Sequence, residues 1–413
     1  MNKEQSKRKI SIYSDPKILL PLVVLFGLAL RLIFFSGIGL SDELTYSKSA
    51  YFFWSGIDQN SVLTLSTRIG LTFFTHLSYK LFGVNDFSSV LFVLLASLGS
   101  IALAYFFGKL LLNKKVGLMA AFLMSIFPME VVYSTRLGSD LPSAFLMSLG
   151  VYAFLYAEKK LPKYAMYMLS GILIGIAYLV RESALLIGIF FIAYIIYRRK
   201  FKKEYLLVPL GIILIFFLEF LLFYVLTGDI FFRFHASQGY LIEKAIEHNY
   251  FGRLDFPKGL LHYPYIILTS PLLAFFYLAF FIAFVYLIYK RKKEAYLLML
   301  WFLPLLLYLS FGSGGLFQYI PFRAVDRYLS IVTMPGILML AHFLTLDKIN
   351  KKALMALFII ILAGSSIWAS SLHNAEDLKS NLIELHSSIK YFDKPAYIDR
   401  KSFKALEYIS RYK

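Results

Sequence analysis

The chain has 413 residues, of which 59% are hydrophobic and 18% aromatic, and its mean hydropathy is +0.67. A soluble domain has no interior large enough to hide that much apolar surface, so the class is an all-α polytopic membrane protein. The formal charge is +18 and cysteine is absent, which excludes disulfides, thiolate metal sites and a cysteine nucleophile.

Apolar stretches recur at about 17–36, 88–112, 116–133, 142–157, 164–180, 184–197, 205–226, 263–289, 296–311, 328–346 and 353–371. Eleven spans are expected, each near the length that crosses a hydrocarbon core of roughly 30 Å. The first carries Arg31 and is not followed by a small-residue cleavage site, so it reads as a retained anchor. Basic clusters fall on alternate loops: NKEQSKRK at the start, NKK 113–115, EKKLPK 158–163, RRKFKK 198–203, KRKK 290–293 and DKINKK 347–352. The positive-inside rule puts all six in the cytoplasm, with the amino terminus. The excess charge is then mostly a topology signal and a contact with anionic headgroups, and no nucleic-acid partner is expected. Loops 37–87, 134–141, 181–183, 227–262, 312–327 and 372–413 fall outside. Residues 1–371 are expected as one transmembrane unit, with 372–413 a short extracytoplasmic tail.

In the first external loop, Ser41 is a good helix N-cap, which puts Asp42 and Glu43 in a first helical turn where the helix dipole favours negative charge. Tyr46 shares the face of Asp42. Tyr46, Ala50, Phe53, Trp54 and Ile57 recur at helical spacing, the pattern of an interfacial helix with its aromatic stripe in the acyl region. A second such helix is expected at 62–82. The two acids are either solvated members of a capped helix or a general base at the membrane surface. Arg136 and Asp140, four residues apart in STRLGSDLP, are either a local ion pair or further members of the same cavity. Arg181 and Glu182 form a tight external turn, Arg327 and Tyr328 open the tenth span, and Arg68 lies in the first loop. Arginines at external membrane edges run against the positive-inside rule, and their planar forks suit a lipid phosphate; snorkelling or structural pairing is the plainer alternative for each. Glu219 lies inside the seventh span, either as a functional acid or as a neutral one packed on a neighbouring helix. Glu130 and Arg31, near the outer ends of their spans, are expected to reach water. His262 precedes YPYIILTSP and is a cavity candidate. With His235 and His248 it lacks metal-site spacing.

SDELTYSKSAYFFWSG resembles the first external loop of the GT-C membrane glycosyltransferases, in the protein-mannosyltransferase-like and aminoarabinose-transferase-like branch with Asp-Glu-x-x-Tyr after the first span. The similarity runs on through RIGLTFFTHLSYKLFGVNDFSSVLFVLLASLGSIALAYFFGKLL and VGLMAAFLMSIFPMEVVYSTRLGSDLPSAFLMSLGVYAF to GILIGIAYLVRESALL and DRYLSIVTMPGILML. It covers most of residues 17–346. Many relatives carry Pro-Pro in the first loop, where this chain has RIGLTFF. The resemblance implies a GT-C-like bundle that moves a sugar from a polyprenyl-phosphate carrier to a protein, lipid or glycan acceptor on the extracytoplasmic side. It implies Asp42 as the base and Arg136 and Asp140 as further site residues. Glu43 or Asp140 would position the acceptor, and Arg68, Arg136, Arg181 and Arg327 would hold the phosphate. No cofactor is expected. In one alternative, Asp42, Glu43 and Asp140 hold a divalent cation, as in oligosaccharyltransferases, although the Trp-Trp-Asp signature is missing. In another, the chain is a transporter or flippase of lipid-linked sugars, which would favour polar residues at the midplane.

Overall fold

The computed structural model describes residues 15–39, 41–54, 67–160, 163–236, 258–313, 325–346, 352–372 and 400–412. His248, Ile57, residues 62–66, the opening basic cluster and most of DKINKK lie outside them. Among the described residues the architecture is all-α. The helices are α1 (Pro16–Ile33), α2 (Asp42–Tyr51), α3 (Ile69–Phe82), α4 (Asp86–Leu111), α5 (Lys114–Ile126), α6 (Pro128–Tyr133), α7 (Asp140–Lys159) and α8 (Tyr164–Val180). They continue with α9 (Gly188–Arg198), α10 (Leu207–Thr227), α11 (Lys258–Thr269), α12 (Phe276–Tyr289), α13 (Lys293–Phe311), α14 (Ser330–Leu344), α15 (Lys352–Leu372) and α16 (Arg400–Ile409).

Among the described residues, six helical segments are long and apolar enough to cross a membrane: Pro16–Ile33, Asp86–Leu111, Asp140–Lys159, Lys203–Thr227, Lys293–Phe311 and Asp326–Leu344. The chain is a multi-pass membrane protein. Shorter apolar helices at Tyr164–Val180, Phe276–Tyr289 and Phe358–Leu372 match further expected spans. Two expected spans are broken. The stretch 116–133 divides at Phe127–Pro128 into α5 and α6, and 263–289 divides around the turn Pro271–Leu273 into α11 and α12. Proline has no N–H to continue the ladder, and it stands at the first position of the new segment in both cases.

Local chemistry sets the other ends. Asn85 forms a capping box with Ser88 at the head of α4, Asn113 accepts from the Val116 N–H at the head of α5, and Gly228 closes α10 at φ +75°. Where α8 crosses α10, a Cβ on Gly171 would run into the backbone of Val208, and one on Gly211 into that of Met168. The small residues of GILIG therefore let the two backbones touch, the usual route to tight packing where lipid supplies no hydrophobic drive. Helix α14 is buried almost throughout and lies against α13, α12, α5 and α7 at the centre of the bundle.

The two ends of the bundle differ. At one end Glu158 accepts from the hydroxyls of Tyr167, Tyr194 and Tyr205 and from Lys202, which ties α7, α8, α9 and the turn before α10 together. At the other end Asp42, Arg68, Asp140, Glu182, Arg233 and Arg327 gather. This division is the one expected from the alternation of basic and non-basic loops.

The lipid-facing reading of the α2 stripe is corrected. Tyr46, Ala50 and Phe53 are buried within the protein, and of the expected stripe only Trp54 among the described residues is exposed. The stripe packs on α3 and, at its other flank, on α16 instead of on lipid. Ser41 stands at the N-cap position, but its side chain makes no capping bond. Arg31 and Glu130 do not reach water either. Both are buried, and Ser97 joins them, accepting from the Arg31 guanidinium at 2.8 Å and donating to Glu130 at 2.5 Å.

Candidate active site

Four connections converge on one point. Asp140 opens α7, and its Oδ1 lies 2.6 Å from Nη1 of Arg181, the residue that ends α8. Its Oδ2 lies 3.6 Å from Nε of Arg327, which sits on the 3-10 turn Asp326–Leu329 ahead of α14. Nη2 of the same Arg327 lies 3.6 Å from Oδ2 of Asp42 at the head of α2. Asp42 and Asp140, 98 positions apart in sequence, therefore meet through one guanidinium. Their surroundings differ: the Asp140 side chain is 8% exposed and the Asp42 side chain 50%. The ring of Tyr328 lies beneath both cations, 4.4 Å from the Arg181 guanidinium carbon and 6.0 Å from that of Arg327. A ring face attracts a guanidinium electrostatically, so Tyr328 supports the two positive groups side by side.

Arg68, at the head of α3, is the second hub. It donates to the Tyr46 hydroxyl, to Ser139 Oγ at 3.1 Å and to Glu182 at 3.3 Å. Ser139 also accepts from Arg181 at 3.2 Å, so one hydroxyl links the two arginines. Burial alone would raise the Glu182 carboxyl, but the guanidiniums of Arg68 and Arg233 outweigh it and hold that carboxyl well below the usual range. Glu43 is buried and accepts from the backbone N–H of Gly39 in the link into α2. Its neighbour Asp42 pairs with Arg327. Arg136 is half-buried in the turn just before Asp140. The oxygens of Asp140 are met by the distant Arg181 and Arg327, in place of the local i, i+4 pair.

Two further candidates have defined surroundings. Glu219 is the partner of Arg233, at 2.6 Å, and the same arginine reaches Glu182 at 2.7 Å and stacks on Tyr178 at 4.2 Å. A buried acid in a membrane span is expensive, and this one is neutralised by a cation folded back from beyond the span. His262 lies half-buried on α11, within a helix and not in a loop. The sequence reading missed Ser139, Arg233, Tyr133, Ser270 and Asp326. Asp326 accepts from the Tyr133 hydroxyl at 3.0 Å, from Ser270 at 2.8 Å and from the Arg327 N–H at 2.7 Å, which pins the turn that carries Arg327. The adjacency of an acid to Arg327 was the available signal for Asp326. For Arg233 it was an arginine six residues beyond a span that contains an unpaired acid.

Both oxygens of Asp140 face guanidiniums, at 2.6 Å from Arg181 and 3.6 Å from Arg327, and Arg327 stands between Asp140 and Asp42. Among the described residues no group of three or more His, Cys, Asp or Glu side chains comes together with metal-binding geometry.

Residues 69–223 match the family described as dolichyl-phosphate-mannose-protein mannosyltransferase. The whole chain is similar in structure to ArnT from Cupriavidus metallidurans bound to undecaprenyl phosphate, with a TM-score of 0.61 and 15% identity over 95% of this chain and 74% of that one. It is similar also to the Archaeoglobus fulgidus oligosaccharyltransferase complex with zinc and sulfate, with a TM-score of 0.59 and 14% identity over 95% of this chain and 61% of that one. A further likeness is to archaeal AglB of Archaeoglobus fulgidus in complex with an inhibitory peptide and a dolichol-phosphate, with a TM-score of 0.56 and 12% identity over 95% of this chain and 63% of that one. The chain thus spans about 61% of the length of the Archaeoglobus oligosaccharyltransferase. No curated protein sequence matches it. The fold is that of the GT-C membrane glycosyltransferases.

Proposed function

We propose that the chain is a glycosyltransferase that moves a sugar from a polyprenyl-phosphate carrier to a protein, lipid or glycan acceptor on the extracytoplasmic face, by a single inverting displacement and without a metal. The observation that carries this reading is the meeting of Asp42 and Asp140 at Arg327, with Arg181 on the far side of Asp140. The family match and the lipid phosphates named for the similar structures support the donor class.

The half-exposed Asp42 carboxylate accepts the proton of the acceptor hydroxyl as its oxygen attacks C1 of the sugar. The bond from C1 to the phosphate oxygen breaks, its electron pair leaves with the phosphate, and the products are glycosylated acceptor and polyprenyl phosphate. Arg327 and Arg181 face that developing charge as fixed cations, with Arg136 and Arg68 further phosphate candidates. Asp140 holds Arg181 and Arg327 in place. A base and a phosphate on opposite sides of C1 give inversion.

The test uses membranes holding the full chain and the radiolabelled polyprenyl-phosphate sugar pool extracted from the source cells. The wild type releases lipid phosphate as label enters an acceptor. Asp42→Asn lowers the rate by about 10²–10⁴, the range that a general base contributes. Full activity of that variant would remove Asp42 as the base. Transfer that stops with EDTA and returns with added Mg²⁺ or Mn²⁺ would restore the metal-dependent alternative.

A further inference from the structure

Helix α2 holds Asp42 but is poorly equipped to hold itself. It has 10 residues, no side-chain capping bond at Ser41, and few apolar groups. A helix of that length is marginal alone, so its position must come from packing. The Arg327–Asp42 contact, at 3.6 Å with Asp42 half exposed, is too loose to fix it.

Helix α16 lies along α2. Lys404 Nζ donates to Thr45 Oγ1 at 3.2 Å, and Lys48 Nζ reaches Glu407 at 2.7 Å. Both pairs are 359 residues apart, so the two helices run parallel, in register, one contact per turn. One turn before Thr45 is Asp42. Beyond them the Tyr412 hydroxyl donates to Ser47 at 2.8 Å, and its ring packs on Tyr51 with centroids 4.9 Å apart. A chain of buried hydroxyls ties the pair to the bundle: Ser47 to Tyr79 at 2.6 Å, Tyr79 to Ser89 at 2.8 Å, Ser89 to Tyr408 at 3.0 Å, and Tyr408 donating to Asp86 at 2.9 Å. Ala405 and Tyr408 share an apolar cluster with Leu44, Tyr46 and Leu71 beneath the acids.

We infer that α16 is a positioning clamp: it sets where α2 stands against α3 and α4, and through α2 where the Asp42 carboxylate stands relative to Arg327. Lys48, Glu407 and Tyr408 are its positioning residues, and none touches the reacting atoms. The inference rests on the proposed function, because it assigns a task to the helix that carries the proposed base.

The experiment measures transfer by the full chain with the extracted lipid-phosphate sugar pool, alongside thermal unfolding in detergent. Lys48→Glu and Glu407→Lys each place like charges directly opposite one another on facing helices. Each lowers kcat about fivefold, a factor in keeping with an exposed pair, and leaves KM for the lipid donor unchanged. The double variant, with the charges exchanged, regains most of the lost kcat. Tyr408→Phe keeps the ring and removes the hydroxyl bonds, and it too lowers kcat with donor KM held. A wild-type kcat in both single variants overturns the inference, as does a double variant no better than the singles. So does loss confined to melting temperature, which marks a merely structural contact. Asp42→Asn in parallel separates the two ideas: if it is inactive while the clamp variants are unaffected, the clamp fails and the base assignment stands. If Asp42→Asn is fully active, the base assignment fails, whatever the clamp variants do.

Discussion

The pair formed by Arg181 and Asp140 offers the sharpest perturbation of the site. Both side chains are buried, at 10% and 8% exposed, and 2.6 Å apart. Replacing one partner of a buried pair strands the other and costs about 3–5 kcal/mol. Here the loss is smaller, because Arg327 remains 3.6 Å from the second Asp140 oxygen. With an effective dielectric near 20, the gross attraction is about 6 kcal/mol at the shorter distance and about 5 kcal/mol at the longer, so Arg327 alone retains a little under half of the combined pull. Arg181→Met should therefore destabilise by about 2 kcal/mol, most of it recovered when Asp140→Asn removes the stranded charge. Transfer behaves differently. The single and the double variant both lose the cation that faces the leaving phosphate, and neither regains activity when stability returns. The assay pairs unfolding in detergent micelles with release of lipid phosphate from the labelled donor pool. A double variant that recovers both stability and transfer would show the pair to be a strut and would refute its catalytic assignment.

Other outcomes follow from the same geometry. Gly171→Ala should lower thermal stability by about 1–3 kcal/mol, because its Cβ meets the Val208 backbone, while Gly188→Ala, with open space at its Cβ, should leave stability unchanged. Arg233→Met should destabilise strongly by stranding Glu219, and Glu219→Leu in that background should restore much of the loss, as read by unfolding in micelles. The depressed Glu182 carboxyl gives stability that is fully present above the ordinary carboxylate range and is lost as pH falls through and below it. The melting temperature of the wild type should then fall more steeply below about pH 4 than that of Glu182→Gln. Chelation with EDTA should leave transfer unchanged, as measured by label release, because guanidiniums already neutralise Asp140 and Asp42.

The span pattern was legible because hydrocarbon imposes it: apolar length and lysine-rich loops are local properties that need no knowledge of packing. The gathering of Asp42, Asp140, Arg181 and Arg327 was legible for a related reason, since alternate loops share one side and charged groups there face few partners. What stayed hidden were choices among partners. Whether Asp140 would take Arg136 four residues away or Arg181 and Arg327 from other helices depends on how α7, α8 and α14 are tilted, which periodicity does not encode. Glu219 showed its cost in sequence, but Arg233 lay in what read as loop. Residues of α2 that looked like an aromatic stripe for lipid face protein instead, because apolar periodicity marks a covered face without naming the cover. The match of α16 to α2 at a separation of 359 residues leaves no local trace in either segment.

Asp326 gathers a tyrosine hydroxyl from α6, a serine hydroxyl from the break between α11 and α12, and the N–H of the next residue. Tyr133 comes from 193 positions away and Ser270 from 56. The aim of Arg327 is therefore adjustable from a distance: a hydroxyl gained or lost at either remote segment re-seats that guanidinium while Asp42, Asp140 and Arg181 keep their identity.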